Sequence, residues 1–170
     1  YIQHNTKPEN RVEFRLAVNA GSNQEEVTQK GLAHFVEHMA FNGTKNYSGE
    51  VLHDLFKKMG MSIGNDTNAH TFFDKTTYEM DLPDEAFKDD AIKIMADFAM
   101  NITFDAKEIE KEKEVVLDEI NSYMDNPMEQ IYDDFECLIF KVTSIITINI
   151  SLLQINMKII FKSNLQFATI

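Results

Sequence analysis

Polar and apolar residues alternate with a period of two at Val12, Phe14, Leu16 and Val18 against Glu13, Arg15, Ala17 and Asn19, which predicts a half-buried strand within residues 1–20. Gly21-Ser22-Asn23 predicts the turn that ends it, and residues 5–10 predict a hairpin loop from an earlier short strand. The period then lengthens. Leu32, Val36, Met39 and Ala40 recur at helical spacing, predicting a helix with an apolar back that Gly43 terminates. Ser48 is placed to cap a second helix, with Glu50 in its first turn, an apolar side of Val51, Leu52, Leu55, Phe56 and Met59, and a stop at Gly60.

Met61-Ser62-Ile63-Gly64 predicts a short strand, and the polar residues 65–71 predict turns. Tyr78, Met80 and Leu82 alternate with Thr77, Glu79 and Asp81, a second half-buried strand closed by Pro83. Asp84 is placed to cap a helix whose core positions are Phe87, Ala91, Ile94, Met95 and Phe98, and Phe104-Asp105 opens a fourth helix running through Met124. No Gly- or Pro-rich linker and no repeat divides residues 1–124, so they read as one domain. The fold class is α+β, a mostly antiparallel sheet with helices packed on it.

Composition changes this picture at one place. Residues 1–140 carry all 28 acidic and 13 of the 16 basic residues, whereas residues 141–170 have no acid, no Gly and no Pro, and eight of the thirty are Ile. That break makes 141–170 a tail of a different kind, resembling translated non-coding sequence. A membrane span needs about 20 mostly apolar residues, and Thr, Ser, Asn, Gln and Lys interrupt the tail too often for one. The net charge of −12 argues against nucleic acid as a partner, because phosphate binding calls for clustered Lys and Arg. A single cysteine, Cys137, rules out an internal disulfide and a multi-cysteine zinc site, and reads as an ordinary buried residue. The chain starts at Tyr1 without Met and reads as part of something longer, which leaves the compartment open.

The candidate chemistry lies in His34-Phe35-Val36-Glu37-His38. At about 100° per residue, His34 and His38 stand one turn apart on one helix face with Glu37 beside them. Two neutral imidazoles at this spacing suit Zn²⁺, and a neighbouring carboxylate can take a proton from water at the metal. The bland alternative is a helix whose two histidines satisfy local hydrogen bonds. Of the remaining histidines, His4 and His53 read as surface residues and His70 as a loop residue.

A catalytic zinc generally has three protein ligands, so a third is needed. The acidic candidates in the fourth helix are Glu108, Glu110, Glu112, Glu114, Asp118 and Glu119. Taking Glu112 as origin, Ile109, Val116, Glu119, Ile120 and Tyr123 fall within about 80° of it, while Glu114 and Asp118 lie about 160° and 120° away. A buried carboxylate is costly unless it is paired or metal-bound. Glu112 and Glu119 therefore remain as the two candidates, and Glu114 points to solvent.

Residues 31–44, Gly-Leu-Ala-His-Phe-Val-Glu-His-Met-Ala-Phe-Asn-Gly-Thr, resemble the active-site helix of the M16 (insulinase, pitrilysin, processing-peptidase) zinc metallopeptidases, in particular the bacterial ones. The similarity runs from Tyr1 to about Phe140. The resemblance implies His34, His38 and Glu119 as zinc ligands, Glu37 as catalytic base and Glu112 as a catalytic residue supporting the site. The spacing from His38 is a few residues longer than usual in the family and would land near Glu114, and Lys113 stands where Arg is usual. Residues 68–78 also resemble the family, in which the pair matching Asn68 and Ala69 lies on a sheet edge where peptide substrate adds as a strand. Read without that resemblance, the same stretch is a turn-rich hairpin loop.

The expected function is that of a zinc-dependent metalloendopeptidase catalytic domain, incomplete at residues 1–140. Its implied partners are an unstructured polypeptide substrate and the remaining domains of a parent chain or a partner subunit. The alternative is a catalytically incompetent fragment or subunit that keeps the fold, with or without the metal. For the 170 residues alone, weak or no activity is expected.

Overall fold

The computed structural model describes residues 1–139; of Asp133 and residues 136–139 only the backbone is described. The expectations for Cys137 and residues 141–170 thus lie outside the described residues. Among these residues three antiparallel strands, β1 (Val12–Val18), β2 (Thr67–Thr71) and β3 (Thr76–Leu82), form a sheet in the order β1-β3-β2. Among the described residues five α-helices accompany them: α1 (Leu32–Asn42), α2 (Gly49–Lys58), α3 (Lys88–Met100), α4 (Ala106–Met124) and α5 (Pro127–Ile139). This is the α+β architecture the alternation patterns imply.

The two predicted strands pair with each other, Val12 opposite Leu82 through Val18 opposite Thr76. Alternation then sorts the faces. Tyr78, Met80 and Leu82 are buried on one side, and Arg15 on the other bridges Glu13 and Glu79. Helix α3 packs Ala91, Ile94 and Phe98 against the buried face, joined by Leu52 and Phe56 of α2. Ser48 caps α2 through Val51 N–H, and Asp105 caps α4 through the N–H groups of Lys107 and Glu108.

Several local expectations are corrected. Residues 1–10 form no strand and are wholly exposed, so the anticipated hairpin before β1 is absent; the segment has too few apolar residues to bury. Residues 61–64 make only an isolated bridge, Ile63 to Thr67, because the chain turns back there with Gly64 N–H bonded to the Thr67 carbonyl. Residues 67–71 are strand rather than loop, since pairing along β3 outweighs the turn propensity of Asn and Thr. Asp84 caps a single turn at Glu85–Phe87, and α3 starts after it. Val51 is exposed, and α5 follows α4 directly where no helix was anticipated.

Helix α1 is held on two sides. Ala40 enters the main core, whereas Phe35 and Met39 pack with Val116 and Ile120 of α4 in a separate cluster. The buried back of α1 is therefore Phe35, Met39 and Ala40, with Leu32 and Val36 only partly covered. A helix wedged between a sheet and another helix needs apolar residues on two faces, and its polar residues are confined to the seam between them.

Candidate metal centre

The seam between α1 and α4 brings His34, His38 and Glu119 together. Their ligand atoms lie within 4.8 Å of one another. His34 Nε2 is 3.1 Å from His38 Nε2, and Glu119 stands 3.2 Å from His38 Nε2 and 3.8 Å from His34 Nε2. Tetrahedral zinc with ligands at about 2.1 Å has ligand–ligand edges of about 3.4 Å. The donor set of two imidazoles and a carboxylate, at these separations, fits such an ion. Glu114 is exposed on the far side of α4, as the helix geometry requires.

The arrangement is electrostatically incomplete by itself. Burial, followed by repulsion from His38, holds His34 below its ordinary pKa. Burial also disfavours the His38 cation, but hydrogen bonds to Glu112 and then Glu119 outweigh it and raise His38 to about 9. Glu119 is lowered chiefly by its hydrogen bond with His38, and Glu112, despite burial, is lowered by His38 and Asn42. One positive charge is thus held among two imidazoles and two carboxylates, and a divalent cation can take its place.

The orientation of His38 is fixed from outside the triad. Glu112 Oε1 lies 2.7 Å from His38 Nδ1. An ionised carboxylate only accepts, so Nδ1 keeps its proton, and when His38 gives up its second proton Nε2 presents a lone pair to the centre. Glu37 is buried, 7% exposed, and its Oε2 accepts a 2.6 Å hydrogen bond from Thr71 Oγ1. At the amino end of α1, Gly31 adopts φ 88°, a left-handed conformation suited to glycine, and brings no side chain to cap the helix. Glu25 does this instead, its carboxylate accepting from Gly31 N–H at 2.8 Å and Ala33 N–H at 2.7 Å.

A cleft of about 420 Å³ opens beside His34, Glu37 and Glu119, walled by Ala69, Thr71, Phe72 and Tyr123. Its wall is the edge strand β2. The hydrogen bond from Phe72 N–H to the Lys75 carbonyl sets the ladder phase, so that Thr67, Ala69 and Thr71 turn their backbone groups away from β3. Consistent with this, Ala69 N–H finds the Asn68 side chain at 2.9 Å instead of a strand partner. Asn68 itself reaches back to the Gly64 carbonyl, and it does not line the cleft. The hairpin tip is pinned to the chain before α1 by Ser22 N–H to the Phe72 carbonyl, an approach that a Cβ at Gly21 would obstruct. His70 lies on β2 and lines the cleft outside the triad, and His53 is exposed on α2.

Sequence reasoning missed Thr71, Glu25 and Asn42. Asn42, one turn beyond His38 on the same face, was within reach of helical spacing. Thr71 and Glu25 carry no local signal, since their partners lie on other elements. Among the described residues no helix is long and apolar enough to cross a membrane.

The chain is similar to known proteins. The family model "Insulinase (Peptidase family M16)" matches residues 1–138. The chain is 40% identical over 121 residues to the probable zinc protease PqqL of Haemophilus influenzae, covering 70% of this chain and 13% of that protein. It is 35% identical over 133 residues to the human mitochondrial-processing peptidase subunit beta, covering 76% of this chain and 26% of the subunit. Among solved structures, the crystal structure of the periplasmic protease PqqL from Escherichia coli superposes with a TM-score of 0.74 at 28% identity, covering 88% of this chain and 18% of that one. The chain spans between about an eighth and a quarter of these curated relatives.

Proposed function

This chain belongs to the insulinase family, peptidase family M16, and on that premise we propose that it is the zinc-binding catalytic part of a metalloendopeptidase. The observation that carries this reading is the convergence of His34, His38 and Glu119 from two helices onto one point. In it these three residues are the zinc ligands. Zinc bound there supplies Lewis acidity, lowering the pKa of a water towards about 7 and polarising the scissile carbonyl.

The chain's own residues do the rest. Glu37, oriented by Thr71, takes a proton from the attacking water and delivers it to the departing amine. Glu112 keeps the Nδ1 proton on His38 and thereby the direction of its Nε2. Ala69, whose backbone groups face the open edge of β2, holds the substrate backbone by strand addition, which grips an extended peptide without reading its side chains, with Asn68 beside it accepting from Ala69 N–H through its side chain. The substrate class is accordingly an unstructured polypeptide. Residues 1–140 are in this reading an incomplete amino-terminal domain that works with further domains or a partner subunit, and residues 141–170 are foreign to the family.

The small share of each relative that the chain spans favours a second reading, a fragment or subunit that keeps the fold, with or without the metal, and has no turnover. Zinc content and chelator-sensitive cleavage of an unstructured peptide separate the two; zinc without cleavage selects the second. In a chain of the relatives' full length, Glu37→Gln should lower turnover at least about a hundredfold while zinc stays bound. Turnover kept by that variant would exclude Glu37 as the base.

A further inference from the structure

The proposed ligands leave one well-placed side chain unexplained. Asn42 is the last residue of α1, one turn beyond His38, and its Nδ2 donates to Glu112 Oε2 at 2.5 Å and to the His38 carbonyl at 3.4 Å. The other oxygen of the same carboxylate, Oε1, receives His38 Nδ1. Each Glu112 oxygen therefore has one donor, and rotating the carboxylate away from His38 breaks both bonds. A flipped Asn42 amide would set its oxygen against a carboxylate oxygen, so the assignment of Nδ2 is fixed by charge.

The backbone holds Asn42 in place from the other side. The helix stops directly after it, with Gly43 N–H on the Met39 carbonyl, and Gly43 has φ 151°, inside the range that side chains avoid. A Cβ on Gly49 would meet the Asn42 carbonyl oxygen at 2.7 Å, so the turn leading into α2 closes tightly over this residue.

We infer that Asn42 is a positioning residue of the metal centre, acting on His38 through Glu112 and tying the carboxyl end of α1 to α4. It rests on the zinc reading above. Asn42 touches neither the ion nor the substrate; it stiffens the carboxylate that orients a ligand. Partners of this kind characteristically change metal affinity by about tenfold or more when removed.

The test is a double-mutant cycle on the 170-residue chain, read as zinc affinity by competition with a chromophoric chelator, with far-UV circular dichroism to check folding. Asn42→Leu, close in shape but without donors, should weaken zinc about tenfold and alter the visible spectrum of the cobalt(II) form. Glu112→Gln should weaken it at least as much, and the double variant should be no weaker than Glu112→Gln alone, because Asn42 acts only through that carboxylate. Asn42→Asp, nearly isosteric and placing charge against charge, should lose at least as much as Asn42→Leu and serves if the leucine variant does not fold. Zinc affinity within about twofold of the parent in the folded variant, or full additivity of the two substitutions, overturns the role of Asn42. Absence of zinc binding by the unsubstituted chain sinks the metal reading instead, a result visible before any variant is made.

Discussion

Two polar clusters built around carboxylates, one on α3 and one at the α1–α4 seam, are served in opposite ways. Asp97 of α3 is 4% exposed and accepts from Thr44 Oγ1 at 2.6 Å, Asn46 Nδ2 at 2.7 Å and Asn101 Nδ2 at 2.9 Å. Burial acts to raise its pKa, yet hydrogen bonds, with Thr44 the foremost, bring it below the ordinary value. Every partner is a neutral donor, so the cluster is complete as it stands and joins the turn after α1 to the end of α3. At the α1–α4 seam the charge is titratable: two imidazole nitrogens and the Glu119 carboxylate face one point, His38 holds the proton among them, and the protonation preferences of the two histidines are driven apart. A satisfied polar cluster is a joint, whereas one left short of positive charge marks a place for a cation.

The sharpest way to break this comparison is reciprocal substitution. His38→Ala should lower zinc affinity by at least about a hundredfold, the loss of one of three ligands, while the metal-free chain still unfolds cooperatively. Asp97→Ala should do the reverse. Stranding the donors of Thr44, Asn46 and Asn101 should cost about 3 kcal/mol of unfolding free energy in urea titrations, with zinc affinity of the folded chain unchanged. If Asp97→Ala instead costs zinc and spares stability, the two clusters have been assigned the wrong way round.

Acidity separates the clusters further. Asp97 has a lowered folded pKa, so its contribution is present above the unfolded value of about 3.9 and is lost as pH falls below it. The raised His38 behaves oppositely: in the metal-free chain its contribution is full below the unfolded value of about 6.5 and is lost as pH rises through about 9. Zinc requires neutral imidazole, so zinc affinity should climb over that same interval as the proton leaves. Thermal unfolding of the chain with and without zinc, between pH 6 and 10, would reveal a crossing of trends; parallel curves would show that proton and metal do not compete.

The smallest expected effect is the most discriminating for the choice of ligand. Glu114→Gln, on the exposed side of α4, should leave zinc affinity within about twofold, as expected of a surface substitution far from the centre. A large loss would return the third ligand to the position that the usual family spacing suggests.

What could be read from the sequence was local. The period of Val12 to Val18 and of Tyr78 to Leu82, the caps at Ser48 and Asp105, the stop at Gly43 and the inward stripe of α4 each depend on residues one to seven positions apart, and helix and strand geometry turns such spacing directly into direction. That is why helical spacing alone separates Glu112 and Glu119 from Glu114. The packing partners were another matter. Residues 67–71 have the composition of turns and become an edge strand only because β3 is there to pair with them. Thr71 reaches Glu37, and Glu25 reaches the amino end of α1, only after the hairpin and the 21–30 segment have docked. Phe35 outranks Leu32 in burial because α4 lies across it. Side-chain direction is written into the chain by short-range sterics, but which charge meets which is settled by contacts between elements tens of residues apart, whose pairing depends on the shared core and not on either sequence segment alone.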